Sequence, residues 1–143
     1  MMLYLIDTNI IVHYIRESET FEKVRREYNI FTPPNNTLIS EVSIGEVYSL
    51  AKRNSWGEKR MERLRVFLSN LAVTPISYPD IYRAYAEIDT FSQQNPTGLS
   101  ARNMGKNDLW IAATAKVLRA TLVTTDKDFD HLQDLFRIES IQS

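Results

Sequence analysis

The sequence predicts one α/β domain over residues 1–143, with a mainly parallel central β-sheet flanked by α-helices. Three observations lead there. Short apolar runs of strand length alternate with stretches of helical periodicity, the pattern of β–α–β units. The first run, Leu3-Tyr4-Leu5-Ile6, is continuously apolar, as a strand buried on both faces must be. A chain of 143 residues supports one core and leaves little room for a second. With 43% hydrophobic and 24% charged residues it has the composition of a folded domain rather than a disordered one.

The elements follow in order. After the Leu3–Ile6 strand, Asp7-Thr8-Asn9 supplies N-cap chemistry for a helix carrying Ile10, Ile11, Val12, Tyr14 and Ile15. A second helix is expected over Phe21–Tyr28, and Pro33-Pro34-Asn35-Asn36 breaks the chain. Thr37–Ser40 reads as a strand and Glu41–Arg53 as a helix. Ser55-Trp56-Gly57 turns into a further helix, Glu58–Asn70. Ala72–Ile76 reads as a strand, which Pro75 confines to an edge or an early end. Pro79 opens a helix through Phe91, and Ser92–Asn107 is the longest loop-like stretch. A helix over Asp108–Arg119, a strand over Thr121–Thr125, a short helix over Phe129–Leu135 and a strand over Phe136–Ile141 complete the chain.

Composition excludes some chemistries. The chain has no cysteine, so it carries neither a disulfide framework nor a thiolate metal site. The N-terminus lacks a basic leader, and no run approaches the roughly 18 apolar residues of a membrane span. The expectation is a soluble, cytoplasmic protein. A net charge of −1 does not advertise a nucleic-acid binder. The distribution is more informative, because Lys52, Arg53, Lys59, Arg60, Arg63 and Arg65 lie close together. They form either a solvated helical face or a patch that contacts phosphates.

Four acids fall where a parallel sheet places its functional crevice, at the carboxyl ends of the strands. Asp7 follows the first strand and Asp126 the strand ending at Thr124-Thr125. Taken alone, one reads as a helix cap and the other as a turn residue. Glu46 shares a helix face with Val42 and Leu50, four residues to either side. A carboxylate on an apolar stripe either sits at its margin or is paired or metal-bound. Asp108 precedes Ile111, Ala112, Ala115 and Leu118 on the packing side of its helix, yet it also suits a first-turn position favoured by the helix dipole. Four carboxylates together repel one another unless a counter-charge intervenes. Hard cations such as Mg²⁺ or Mn²⁺ match carboxylate and water oxygens. His13 and His131, the only imidazoles, read as surface or packing residues, so zinc is disfavoured. Divalent ions on such clusters activate water and stabilise the leaving oxygen in phosphodiester hydrolysis.

At these residues the chain resembles the PIN-domain ribonucleases, and among them the VapC-like toxins of toxin–antitoxin pairs. The matching blocks are Tyr4-Leu5-Ile6-Asp7-Thr8-Asn9, Ser40 through Glu46, Asn107 through Ala115, and Leu122-Val123-Thr124-Thr125-Asp126-Lys127-Asp128-Phe129. The resemblance implies a PIN-like fold and a metal-dependent endoribonuclease. It assigns Asp7, Glu46, Asp108 and Asp126 to metal binding and catalysis, with Asp7 and Asp108 as leading direct ligands. Thr8, Asn9 and Thr124 match supporting polar positions, and Asp128 is an additional acid. It also implies a homodimer and a cognate antitoxin covering the acidic groove. The stretch 92–106 is long for the family. RNA contacts are expected at Lys52, Arg53, Arg60, Arg63, Arg102 and Lys106. Trp110 is expected in the core or at a subunit contact, for which Trp56 and Tyr82 are further candidates.

Other readings fit less well. An aspartyl phosphatase of the haloacid dehalogenase type needs a second acid two residues after Asp7, where this chain has Asn9. A receiver domain lacks its paired acids and late lysine here. The remaining alternatives are a PIN-fold module that binds RNA or an antitoxin without catalysis, and a housekeeping PIN nuclease.

Overall fold

The strand-length runs pair into a five-stranded, all-parallel sheet of order β3-β2-β1-β4-β5 in a computed structural model that describes residues 2–94 and 104–142. In chain order the elements are β1 (Leu3–Ile6), α1 (Thr8–Ile15), α2 (Glu19–Tyr28), β2 (Asn36–Ser40), α3 (Glu41–Arg53), α4 (Glu58–Ser69) and β3 (Ala72–Thr74). They continue with α5 (Pro79–Gln94), α6 (Lys106–Leu118), β4 (Thr121–Thr124), a 3-10 helix (Lys127–Leu132) and β5 (Ile138–Ser140). β3 lies at an edge, where Pro75 is harmless, and the fully apolar β1 lies in the centre.

Strand alternation divides the core into two layers. Tyr4, Ile6, Ile39 and Val123 face one layer, packed with Ile10, Ile11 and Ile15 of α1, Val24 of α2, Val47 of α3 and Leu64 of α4. Leu5 and Leu122 face the other, packed with Ile81, Ala84 and Ile88 of α5 and Ile111, Ala112 and Ala115 of α6. The small residues of α6 let its backbone lie close to the sheet. From β1 the chain moves to β2 on one side, and later returns to β4 on the other, so the sheet's topological switch point lies between β1 and β4.

Three expectations change. α5 runs on to Gln94, because Ser92 is buried and its Oγ meets His131 Nε2 at 2.7 Å and the Met104 sulfur at 3.1 Å. α6 begins at Lys106, so the loop-like reading of 92–107 fails at both ends; residues 95–103, with Arg102, lie outside the described residues. Trp56 is not a surface residue available to a subunit contact. It is 8% exposed and belongs to the core beside Ala51 and Leu64. Trp110 packs on Tyr85, with ring centroids 4.2 Å apart, and Tyr82 stays half exposed beside it. Among the described residues no helix is long and apolar enough to cross a membrane.

A candidate carboxylate metal centre

The chain leaves β1 at Ile6, and the Asp7 N–H still donates to Val123 O of β4 at 3.0 Å. Asp7 is thereby fixed at the switch point, where it both caps α1 and faces the crevice. Its Oδ1 accepts from Thr8 N at 2.7 Å and its Oδ2 from Thr124 Oγ1 at 2.7 Å. Thr124 Oγ1 in turn accepts from Asp126 N at 2.9 Å, and Asp126 Oδ1 caps the 3-10 helix through Asp128 N at 2.9 Å. On the other side Thr8 Oγ1 donates to Glu46 Oε1 at 2.8 Å. One hydrogen-bonded series therefore runs Glu46–Thr8–Asp7–Thr124–Asp126–Asp128. Asn9 Oδ1 accepts from Thr125 N at 3.3 Å and ties α1 to the end of β4.

Thr8 and Thr124 donate to the carboxylates of Glu46 and Asp7, and Asn9 braces the backbone of Thr125. The cap reading of Asp7 holds, and Asp126, read as a turn residue, caps the 3-10 helix; each does so through one carboxylate oxygen. Asp108 behaves differently. Gly105 occupies the cap position of α6, and Asp108 is the third helical residue, within reach of the dipole but not the cap. Carboxylate oxygens of Asp108, Asp126 and Asp128 all lie within 4.8 Å of one another.

Electrostatics enlarge this trio. Burial raises the Asp108 carboxyl to about 7, with further upward pushes from Asp7, Asp126, Glu46 and Asp128. Asp7, 4% exposed, is raised to about 6 by burial, opposed by its bonds from Thr124 and Thr8 and assisted by Glu46 and Asp126. Five acids from four segments therefore share one field. Among the described residues no lysine or arginine forms an ion pair with Asp7, Glu46, Asp108 or Asp126. An all-oxygen donor set, crowded and partly dry, fits a hard divalent ion.

The sequence placed Asp128 behind the four principal acids, whereas in space its carboxylate lies within 4.8 Å of those of Asp108 and Asp126. Its spacing of two from Asp126, across the start of a 3-10 helix, was the available signal. Ser40 was missed: it is fully buried, ends β2 and caps α3 through Val42 N, which fixes the start of the helix that bears Glu46.

The basic residues scatter. Lys52 and Arg60 are exposed on α3 and α4, and Lys106 is exposed at the start of α6. Arg63 turns inward, donating to Tyr14 O at 3.0 Å, pairing with Glu17 at 3.2 Å and lying 4.7 Å over the Tyr14 ring. Arg53 alone of these lines a groove of about 560 Å³ along α3 that also includes Glu46 and Asn107.

Comparison with known proteins agrees with this fold. The family model described as PIN domain matches residues 4–135. A curated relative, Ribonuclease VapC2 of Rickettsia felis, is 30% identical over 135 residues, covering 94% of this chain and 95% of the relative. The crystal structure of VapBC2 from Rickettsia felis, bound to a DNA fragment from its promoter, superposes with a TM-score of 0.79 at 27% identity, covering 99% of this chain and 100% of that one. A VapBC-1 structure from nontypeable Haemophilus influenzae shares the fold, with a TM-score of 0.74 at 23% identity and coverage of 97% and 98%. This chain belongs to the PIN-domain family, and its relatives there are VapC ribonucleases.

Proposed function

We propose that this protein is a VapC-type endoribonuclease, the toxin of a toxin–antitoxin pair, which hydrolyses RNA phosphodiester bonds with Mg²⁺ or Mn²⁺ in the cytoplasm. The observation that carries this reading is the convergence of the carboxylates of Asp7, Glu46, Asp108, Asp126 and Asp128 at the switch point. Asp108, Asp126 and Asp128 would hold the ion most directly, with Asp7 and Glu46 completing its charge environment. When bound, the ion supplies Lewis-acid activation of water and neutralises charge at the scissile phosphate. The chain's own residues do the rest. Thr8 and Thr124 each direct a hydroxyl proton at a carboxylate oxygen and so fix where the acids point. The small, buried face of α6 holds Asp108 firmly against the sheet.

Partners are part of the proposal. The solved relatives above are toxin–antitoxin assemblies, which supports a cognate antitoxin here. Its entry into an acidic groove would favour an inserted Arg or Lys. A homodimer is supported by the exposed tyrosines Tyr78 and Tyr82 on and beside α5.

The test is cleavage of RNA by purified protein with and without Mg²⁺ or Mn²⁺. Wild type should cleave only with metal, and Asp7→Asn and Asp108→Asn should lose at least about a hundredfold in rate while remaining folded. Metal-independent cleavage, or full activity in Asp108→Asn, would overturn the assignment. RNA binding without any cleavage would favour the non-catalytic module. Co-purification with the product of an adjacent gene, with activity restored on its removal, separates a toxin from a housekeeping nuclease.

A further inference from the structure

We propose that the groove along α3 is the track on which single-stranded RNA lies as it reaches the carboxylates, with Arg53 holding a phosphate beside the scissile one. This rests on the nuclease reading above. Gly45, Ser49 and Arg53 recur every four residues and so form one line on α3, while Glu46 adjoins that line at the acidic end. Asn107, next to Asp108, lines the same groove from α6 and offers an amide that both donates and accepts. The helical rise puts Arg53 about 10 Å along the axis from Glu46.

Three features point to a polyanion rather than a protein segment. First, the groove of about 560 Å³ has the size of a small-molecule or short-oligomer site and is too small for a duplex. Second, Arg53 makes no ion pair among the described residues, whereas Arg65 is bound to Glu58 and Glu62 and Arg63 to Glu17. An uncommitted guanidinium is the planar fork that grips phosphate. Third, the groove is kept open where a backbone would pass: a Cβ at Gly45 would meet nothing within 4 Å. A strand carrying one negative charge per nucleotide needs a cation near a site this acidic, and Arg53 is the groove's only one among the described residues.

Binding of a short fluorescent single-stranded RNA, followed by anisotropy in an Asp108→Asn background so that cleavage does not intervene, tests the track. Arg53→Gln should weaken binding about tenfold and lower the slope of log K against log salt by about 0.7. Arg53→Lys should recover part of both. Gly45→Leu should weaken binding to a similar degree by filling the groove and leave the salt slope unchanged. It should not unfold the helix, since the site is open and Leu favours helix over Gly. Unchanged binding in Arg53→Gln, or a loss that Gly45→Leu does not share, would overturn the track. RNA that binds through Arg53 and Gly45 in a protein that cleaves nothing with metal would instead overturn the nuclease reading.

Discussion

At one end of α1, Asp7 and Thr8 are buried among carboxylates; at the other, Tyr14 stacks on Phe67 with ring centroids 4.2 Å apart, and Phe21 and Phe31 close around them. The two ends belong to one eight-residue helix, yet their energetics oppose. The aromatic end removes apolar surface from water, and Arg63 satisfies the Tyr14 carbonyl while covering its ring. The acidic end dehydrates charges that repel one another, which raises the carboxyls of Asp7 and Asp108. The difference teaches that the fold is secured at the amino edge of the sheet and strained at the carboxyl edge, where the chemistry is assigned.

The largest stability effect should therefore come from the aromatic end. Phe67→Ala should lower unfolding free energy by about 3–5 kcal/mol, read from denaturant midpoints, because Phe67 is 7% exposed and touches three other rings. A loss below about 1 kcal/mol would mean that this end does not anchor the fold.

The acidic end should show itself through pH. In metal-free protein the folded carboxyls of Asp7 and Asp108, at about 6 and about 7, lie above the ordinary value of 3.8. The folded state then keeps protons that the unfolded chain releases. The stability these groups contribute is complete below pH 3.8 and is lost as pH rises through about 6 and about 7. For the buried Asp7 the loss is roughly 3 kcal/mol. Denaturation in chelator from pH 4 to pH 8 should show wild type losing stability relative to Asp7→Asn and Asp108→Asn. Parallel curves would contradict the crowding.

Smaller effects belong to single supports. Arg63→Gln should lower stability by about 1–2 kcal/mol through the lost Tyr14 contacts, since its partner Glu17 is largely exposed and their ion pair is screened. Ser40→Ala should remove about 1 kcal/mol with the cap of α3. If it also lowers cleavage, the start of that helix positions Glu46.

Most of this contrast was legible in the sequence. A short continuous apolar run such as Leu3–Ile6 suits a central parallel strand, and acids that follow parallel strands share the carboxyl edge. Glu46 stood out between Val42 and Leu50, but the buried line of α3 is Ser43, Val47 and Ala51, and Glu46 lies half-buried at its margin. Where the sequence misled, a distant partner had changed the meaning of a residue. Ser92 looks like loop until His131 and Met104 meet it, and Trp56, beside a glycine turn, is drawn into the core. Arg63 looks like one more surface cation until Tyr14 and Glu17 claim it. Asp128 depended on the 3-10 geometry after Asp126, which spacing alone does not specify.

If the carboxyl edge is strained for want of a cation, thermal unfolding above pH 7 with and without Mg²⁺ or Mn²⁺ shows it most directly. An ion that binds only the folded state adds about 2.7 kcal/mol at a hundredfold excess over its Kd. Wild type should therefore melt several degrees higher in saturating metal than in chelator, and Asp108→Asn should show little of that rise. No shift at millimolar metal, or an equal shift in both proteins, would contradict the account.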